Sequence, residues 1–492
     1  DLCFQTRERG LRVMYEPEAV VVHVEGATAG TDPNAGHKRH QERNRKKFVA
    51  KWRERLDAEH RLPSLENAKA AADRHRGPRV LVIDHRVPMW DRDSGSLRML
   101  CMMQALIGLG ARVTFLPDNL AGVQPYTRRL QRLGIEVLYG GFDVKAELAA
   151  IGASLHAAIL SRPHVTSHWL DTVREVAPAA RVAYDTVDLH WLREARKDGL
   201  VIPTGAAAPS NGSIDVGSIT PKARALRELE LAMIRASDAT LVVTDEERGQ
   251  VERDVPGTRV LVVPNVHDVE QSVSPAEDRA GILFVGSFEH VPNIDAARRL
   301  VSEIMPAVWT ELGDVRVTIV GSDPPPEVQA LASPLVDVAG WVEDLRPLLQ
   351  RSRLLVAPLR YGAGMKGKVT QCLAAGLPVV TTSIGAEGLV ARYVEGELVG
   401  ASPLLVADDS RAIAAETIRL CTDDQLWRHL SHAGQELIAE KCSKGVVSRV
   451  LGEVIYGEPS SPGAGGDERA AVRRVPLSSH EDVDSELVRR PA

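Results

Sequence analysis

An α/β protein with two doubly wound parallel-sheet halves facing a cleft is what three features of the chain predict. Short apolar runs of strand length, such as VLVID at Val80 to Asp84, recur between stretches of helical length. At 492 residues the chain is too long for one ordinary core. A glycine-rich loop with two lysines, YGAGMKGK at Tyr361 to Lys368, opens a helix in the second half, where open α/β sheets take ligands.

Composition narrows the class. A hydrophobic content of 44% with 26% charged residues is that of a globular protein. The net charge of -6, the 4% aromatic content and the lack of a basic patch interleaved with aromatics argue against a nucleic-acid partner. Cys3, Cys101, Cys372, Cys421 and Cys442 are far apart and odd in number, without metal-ligand or disulfide spacing, which fits a reducing compartment. No signal peptide or run of membrane-spanning length is found. The expectation is a cytoplasmic protein, either free or peripheral at the inner face of the membrane.

Residues 1–57 stand apart from this pattern. HKRHQERNRKKFVAKWRERL, at His37 to Leu56, reads as a basic helix in which Phe48, Trp52 and Leu56 form one apolar stripe among nine lysines and arginines. Such a helix suits an anionic membrane surface, and equally suits packing on the preceding segment with its charges solvated. Residues 58–78 are polar, end in Gly77-Pro78 and read as a linker.

Residues 79–265 form the first half. Asp93-Ser94-Gly95-Ser96 opens a helix with Leu97, Leu100, Met103 and Leu106 at its apolar positions and Ser94 or Ser96 as cap. VTFLP, IEVLYG, AAIL, VAYDT, TLVVT and VLVVPN follow as strands. Leu200 to Pro221, rich in Gly, Ser, Pro and Ala, reads as a surface excursion. Residues 266–456 form the second half, and 457–492, poor in apolar residues, a disordered tail.

The glycine loop carries chemistry. Gly362 and Gly364 let backbone N–H groups approach a phosphate, the helix start adds about half a positive charge, and Lys366 and Lys368 add whole ones. An ordinary strand-to-helix turn with solvated lysines gives the same local pattern. The following residues, QCLAAGLPVVTTSIGAEGL, resemble the donor-site signature of the family 4 (group 1) glycosyltransferases of GT-B fold. The loop is similar to the Gly-Ala-Gly-x-Lys loop of a bacterial surface-polysaccharide subgroup. FVGSFEHVPNIDAARRL, VAGWVEDLRPLL, VLVIDHRVPMWDRDSGSLRML and VAYDTVDLHWLREAR extend the resemblance over roughly Arg79 to Leu451. DLCFQTRERGLRVMYEPEAVVVHVEG is similar to the end of a family 2 catalytic domain of GT-A fold. That likeness makes 1–57 a GT-A remnant, not competent alone, with His23 a structural strand residue and an upstream GT-A domain as a missing partner.

The resemblance implies a donor site for a nucleotide-diphosphate sugar. Gly286 and Ser287 would face the phosphates or the sugar, the backbone at Trp341 and Val342 would hold the base, and Glu387 in the second glycine turn joins the donor-binding set. Trp341 would stack on the base or simply pack. Gln371 stands where the family has a ribose-binding glutamate, and an amide is a weaker acceptor than a carboxylate. Ala363 takes the place of the other glutamate, which the subgroup also lacks. On the acceptor side the resemblance places YDTVDLHW in the cleft. There His190 would orient a hydroxyl or shuttle a proton, with Asp188 and Lys366 as the other catalytic candidates. A histidine after a strand is also a common structural residue. Asp93, Ser94, Gly95 and Asp185 form the rest of the acceptor wall, with His85 and Arg86 beside it.

The implied function is transfer of a sugar from a nucleotide-diphosphate donor to a glycan or lipid-linked acceptor, with retention, without a metal or other cofactor, in surface-polysaccharide synthesis. Two readings compete with it. One is a nucleotide-sugar 2-epimerase; the other is a catalytically weak binding or scaffold module, suggested by Gln371 and the incomplete N-terminal segment.

Overall fold

The parallel sheets expected from the sequence are present. The computed structural model describes residues 1–11, 13, 19–22, 40–60, 77–197, 219–389, 393–394, 397–398 and 402–457. His23, nearly all of the Leu200 to Pro221 excursion and the tail beyond Gly457 lie outside the described residues. The chain divides into two units, Asp1–Gly77 and Pro78–Ala492.

In the first unit, helices Leu2–Glu8 and Gln41–Glu59 meet through aromatic packing. The Phe4 ring lies edge-on to Phe48 at 5.2 Å and tilted on Trp52 at 5.1 Å. Trp52 is buried and its indole N–H donates to Asp1 Oδ1 at 2.8 Å. The apolar stripe on the basic helix is therefore taken up by packing inside the unit. Residues 19–22 form no strand, and Val20, Val21 and Val22 are exposed.

The second unit holds both halves. The first sheet comprises β1 (Arg79–Asp84), β2 (Arg112–Pro117), β3 (Glu136–Val137), β4 (Leu155–Ser161), β5 (Arg181–Asp185), β6 (Ala239–Val242) and β7 (Val260–Val262). They lie in the order β3-β2-β1-β4-β5-β6-β7, and every pair is parallel. The second comprises β8 (Ile282–Val285), β9 (Val317–Val320), β10 (Val336–Gly340), β11 (Leu354–Ala357) and β12 (Val379–Thr381). After a short antiparallel pair, β13 (Tyr393–Val394) and β14 (Glu397–Leu398), comes β15 (Leu405–Val406). The order of this parallel sheet is β10-β9-β8-β11-β12-β15. Val, Ile and Leu dominate the central strands because helices cover both faces and leave no polar side. Strand order reverses between β1 and β4 and between β8 and β11, so the carboxyl ends of those strands open the crevices where ligands bind.

Two details differ from the sequence reading. The cap of helix Ser94–Gly108 is Asp93, whose carboxylate accepts from the Ser96 N–H and hydroxyl, both at 2.7 Å, so neither serine caps. Helix Lys444–Tyr456, assigned by chain continuity to the second half, packs on the first. Val447, Leu451, Val454 and Ile455 join the core of Val80, Val82 and Met99, and Arg181 Nη1 donates to the Ile455 carbonyl at 2.6 Å. An apolar helix face goes where apolar area is to be buried, whatever half its sequence follows.

One ion pair fixes the first half from inside. Arg98, on the Ser94–Gly108 helix, forks onto Asp185 at the end of β5 with bonds of 3.0 and 2.9 Å, and its Nε donates to the Val263 carbonyl at 2.8 Å. Ser161 adds a hydroxyl to the same carboxylate at 3.0 Å, and both charged side chains are fully buried. Removing one partner strands a buried charge, so Arg98→Ala is expected to lower the unfolding free energy by roughly 3–5 kcal/mol, read from the denaturant midpoint.

Candidate active site

A cavity of about 700 Å³ lies between the carboxyl ends of the two sheets. That is the size of an ordinary small-molecule site. Three helices begin at its wall: Ser94–Gly108, Val291–Arg299 and Gly367–Ala374. Asp93 already places a carboxylate on the first. No side chain caps the other two, so their leading N–H groups and dipoles favour an anion.

Glycines allow the two halves to meet here. A side chain at Gly367 would lie 2.3 Å from Ser94 Cβ, across the cleft. Gly364 has φ of 68°, and a Cβ there would lie 3.1 Å from Asp188 Cβ and from Val243, a conformation and a spacing that a larger residue resists.

The loop lysines are partly buried and paired. Lys366 Nζ donates to the Gly364 carbonyl and to Glu387 Oε2, the latter at 3.2 Å. Glu387 also receives a two-pronged bond from Arg196, at 3.1 and 2.9 Å, and Arg196 Nη1 donates to the Gly362 carbonyl at 2.8 Å. Burial would raise the Glu387 carboxyl, but Lys366 and Arg196 hold it below its ordinary range. Burial pulls Lys366 down from its ordinary value, with Glu387 opposing. Lys368 donates to Asn293 Oδ1, and its ammonium lies 5.1 Å from the Phe284 ring centre. Burial, reinforced by Lys366, brings Lys368 down to about 7. Asn293 reaches the other way with its Nδ2, to the Ser287 carbonyl at 2.6 Å, and so ties Lys368 to the Gly286-Ser287 turn.

The opposite wall is acidic and basic by turns. Asp188 pairs with Arg193, and its Oδ1, shut off from solvent, lies 3.2 Å from His190 Nε2 without a well-formed hydrogen bond. Val187 beside it has φ of 65°, strained for a β-branched residue. Arg162, also at positive φ, donates to Asp84 Oδ1 at 2.8 Å and lines the cavity. The loop is held from behind by Glu247, which accepts from Leu189 N, and by Glu230, which accepts from His190 N and Trp191 N. Burial raises both carboxyls to about 8, against these N–H bonds.

Most residues singled out from the sequence converge. Asp93, Ser94, Gly95, Asp188, Gly286, Ser287, Trp341, Val342, Gly362, Gly364, Lys366, Lys368 and Gln371 all line the cavity. Trp341 is half exposed, with the Arg92 guanidinium 5.7 Å from its ring centre across the cleft. Three others are placed differently. Asp185 is consumed by the buried pair with Arg98 and is absent from the cavity wall. His190 sits behind Asp188 in the first turn of helix His190–Lys197, where burial lowers it to about 4, so the ring is uncharged at neutral pH. Glu387 lies beneath the loop, on the lysine instead of on the cavity. His85 and Arg86 also stand behind the wall, against Asp84 and Asp93.

Sequence reasoning missed Asn293, Arg162 and Arg196. The first two stand at strand-to-helix junctions marked by Pro292 and Pro163, a signal that could have singled them out. Arg196 follows Arg193 by three residues on one helix and carried no local signal at all. Among the described residues, no group of three or more His, Cys, Asp or Glu side chains could hold a metal ion.

Residues 279–423 match the family model described as glycosyl transferases group 1. Solved structures of similar fold include sucrose-phosphate synthase from Thermosynechococcus elongatus, with TM-score 0.54 and 15% identity over 77% of this chain and 98% of that one. HepE of Anabaena, in complex with UDP and glucose, gives TM-score 0.55 and 11% identity over 77% of this chain and 100% of that one. A glycosyltransferase from Rickettsia africae gives 0.54 and 11% over 78% and 100%. No curated protein matches the chain. The fold is thus of GT-B type, and its second half carries the match to the group 1 glycosyl transferases.

A bound diphosphate favours the charged form of Lys368, so affinity is greatest below about pH 7 and falls as pH rises through it. Calorimetry with a nucleoside-diphosphate sugar, whose phosphates keep a fixed charge over this range, is expected to show weaker binding at pH 8.5 than at pH 6. Lys368→Met is expected to flatten that dependence.

Proposed function

We propose that the cleft binds a nucleoside-diphosphate sugar and transfers its sugar to a hydroxyl of a glycan or lipid-linked acceptor. The observation that carries this is the uncapped start of helix Gly367–Ala374 at the cavity floor, flanked by Lys366 and Lys368 and facing the Gly286-Ser287 turn. As the anomeric bond breaks, negative charge develops on the leaving diphosphate. The helix start and the two lysines meet that charge without a metal, already oriented and largely shielded from water.

Acceptor and donor sugar then lie against the wall that Asp188 and Arg193 line. Trp341 and Val342 offer a flat apolar edge and backbone groups for the base. Retention of configuration, and a place in bacterial surface-polysaccharide synthesis, rest on the resemblance of the loop and of the flanking segments. The same resemblance supports a GT-A remnant in residues 1–57 and an upstream GT-A domain as partner.

Gln371 supports a second reading, a nucleotide-sugar-binding module with weak catalysis. It lines the cavity without the charge of the glutamate it replaces, and charged acceptors hold a diol more strongly. Thermal-shift screening of nucleoside diphosphates and their sugars, followed by transfer assays with an acceptor panel, separates the two. The proposal expects stabilisation by the diphosphates and sugar transfer; stabilisation alone favours the module, and conversion of the nucleotide sugar without acceptor favours an epimerase. Lys366→Ala is expected to abolish the stabilisation, and an unchanged response removes Lys366 from the site.

A further inference from the structure

The loop cations are not equivalent. Lys366 lines the cavity, whereas Glu387 and Arg196 lie behind it, and Arg196 comes from helix His190–Lys197 of the other half. All three side chains are buried, at 10%, 8% and 13% exposure. Two cations therefore share one carboxylate, leaving one positive charge uncompensated within the cluster. The nearby carboxyls do not remove it: Asp188 is bound to Arg193, and burial holds Glu247 toward its neutral form. A buried unpaired charge is costly, and an arriving anion relieves it.

We infer that Arg196 is a positioning residue which, by forking onto Glu387, keeps the charge of Lys366 available to the phosphates of the donor. This rests on the reading of the cleft as a nucleotide-sugar site. A planar guanidinium on both carboxylate oxygens is the stronger partner of the two, and it also fixes the Gly362 carbonyl. Lys366 holds Glu387 through one oxygen and the Gly364 carbonyl through its second bond, so it can turn to a phosphate while Arg196 continues to satisfy the carboxylate. Without Arg196, Glu387 and Lys366 become a neutral pair facing the cavity. The device makes the donor cradle depend on a residue of the other half.

Charge counting provides a test that a simple mechanical clasp would fail. The binding of a nucleoside diphosphate and of inorganic pyrophosphate to the full chain is measured by calorimetry for the wild type, Arg196→Gln, Arg196→Lys, Glu387→Gln and the double variant Arg196→Gln/Glu387→Gln. Arg196→Gln is expected to weaken binding roughly tenfold or more, the scale of one charge-assisted bond. Arg196→Lys keeps the charge and stays close to the wild type. The double variant restores the net charge and is expected to recover most of the affinity. A double variant as weak as Arg196→Gln, or an Arg196→Gln variant that binds normally, overturns the inference while leaving the donor reading intact. A wild type that binds no nucleoside diphosphate overturns both.

Discussion

The carboxylate of Glu387, shared between Lys366 and Arg196, ties the donor loop of one sheet to a helix of the other. The floor of the cleft is organised around it. The Gly362 and Gly364 carbonyls are drawn down by the same two cations, and the loop's glycines then lie close enough to Asp188 and Ser94 that a side chain would collide. With that loop in place, the start of helix Gly367–Ala374 opens toward the cavity, and Lys368 is carried to Asn293 and the Gly286-Ser287 turn. The proposed phosphate cradle is therefore assembled from both halves, although its most visible parts belong to one.

The acceptor wall rests on a different kind of support. Glu230 and Glu247 take up the N–H groups of Leu189, His190 and Trp191, which are the leading donors of helix His190–Lys197. Buried carboxyls at this helix start leave it little appetite for an anion, in contrast to the open start of Gly367–Ala374. They also hold Asp188 at the cavity wall and fix the base of the helix that carries Arg193 and Arg196. The electrostatics of the cleft thus divide into a cationic loop side and a wall where carboxylates and arginines pair.

Much of this was legible in the sequence. Apolar runs marked β1, β2, β4, β5 and β6 because strands covered by helices on both faces must be apolar throughout. The glycine loop was legible because glycine takes the positive φ of Gly364 without strain and leaves room beside Asp188. Long-range pairings were not. Asp185 and Asp188 sit three residues apart in one polar cluster, yet Arg98, far away in the chain, buries the first, while the second faces the cavity. His190 looked like a proton shuttle because its neighbours are polar, but the first turn of its helix is buried and desolvation keeps the ring neutral. Arg196 and the helix Lys444–Tyr456 escaped for the same reason: their partners lie across the fold, and no local spacing encodes them.

The most direct measurement of the central claim is a structure of the chain with a nucleoside-diphosphate sugar bound. The account predicts the diphosphate at the start of helix Gly367–Ala374, within hydrogen-bond distance of Lys366 Nζ and the Gly286-Ser287 turn, with Arg196 still on Glu387. A diphosphate bound elsewhere in the cleft, or one that draws Arg196 away from Glu387 while Lys366 stays paired, would contradict it.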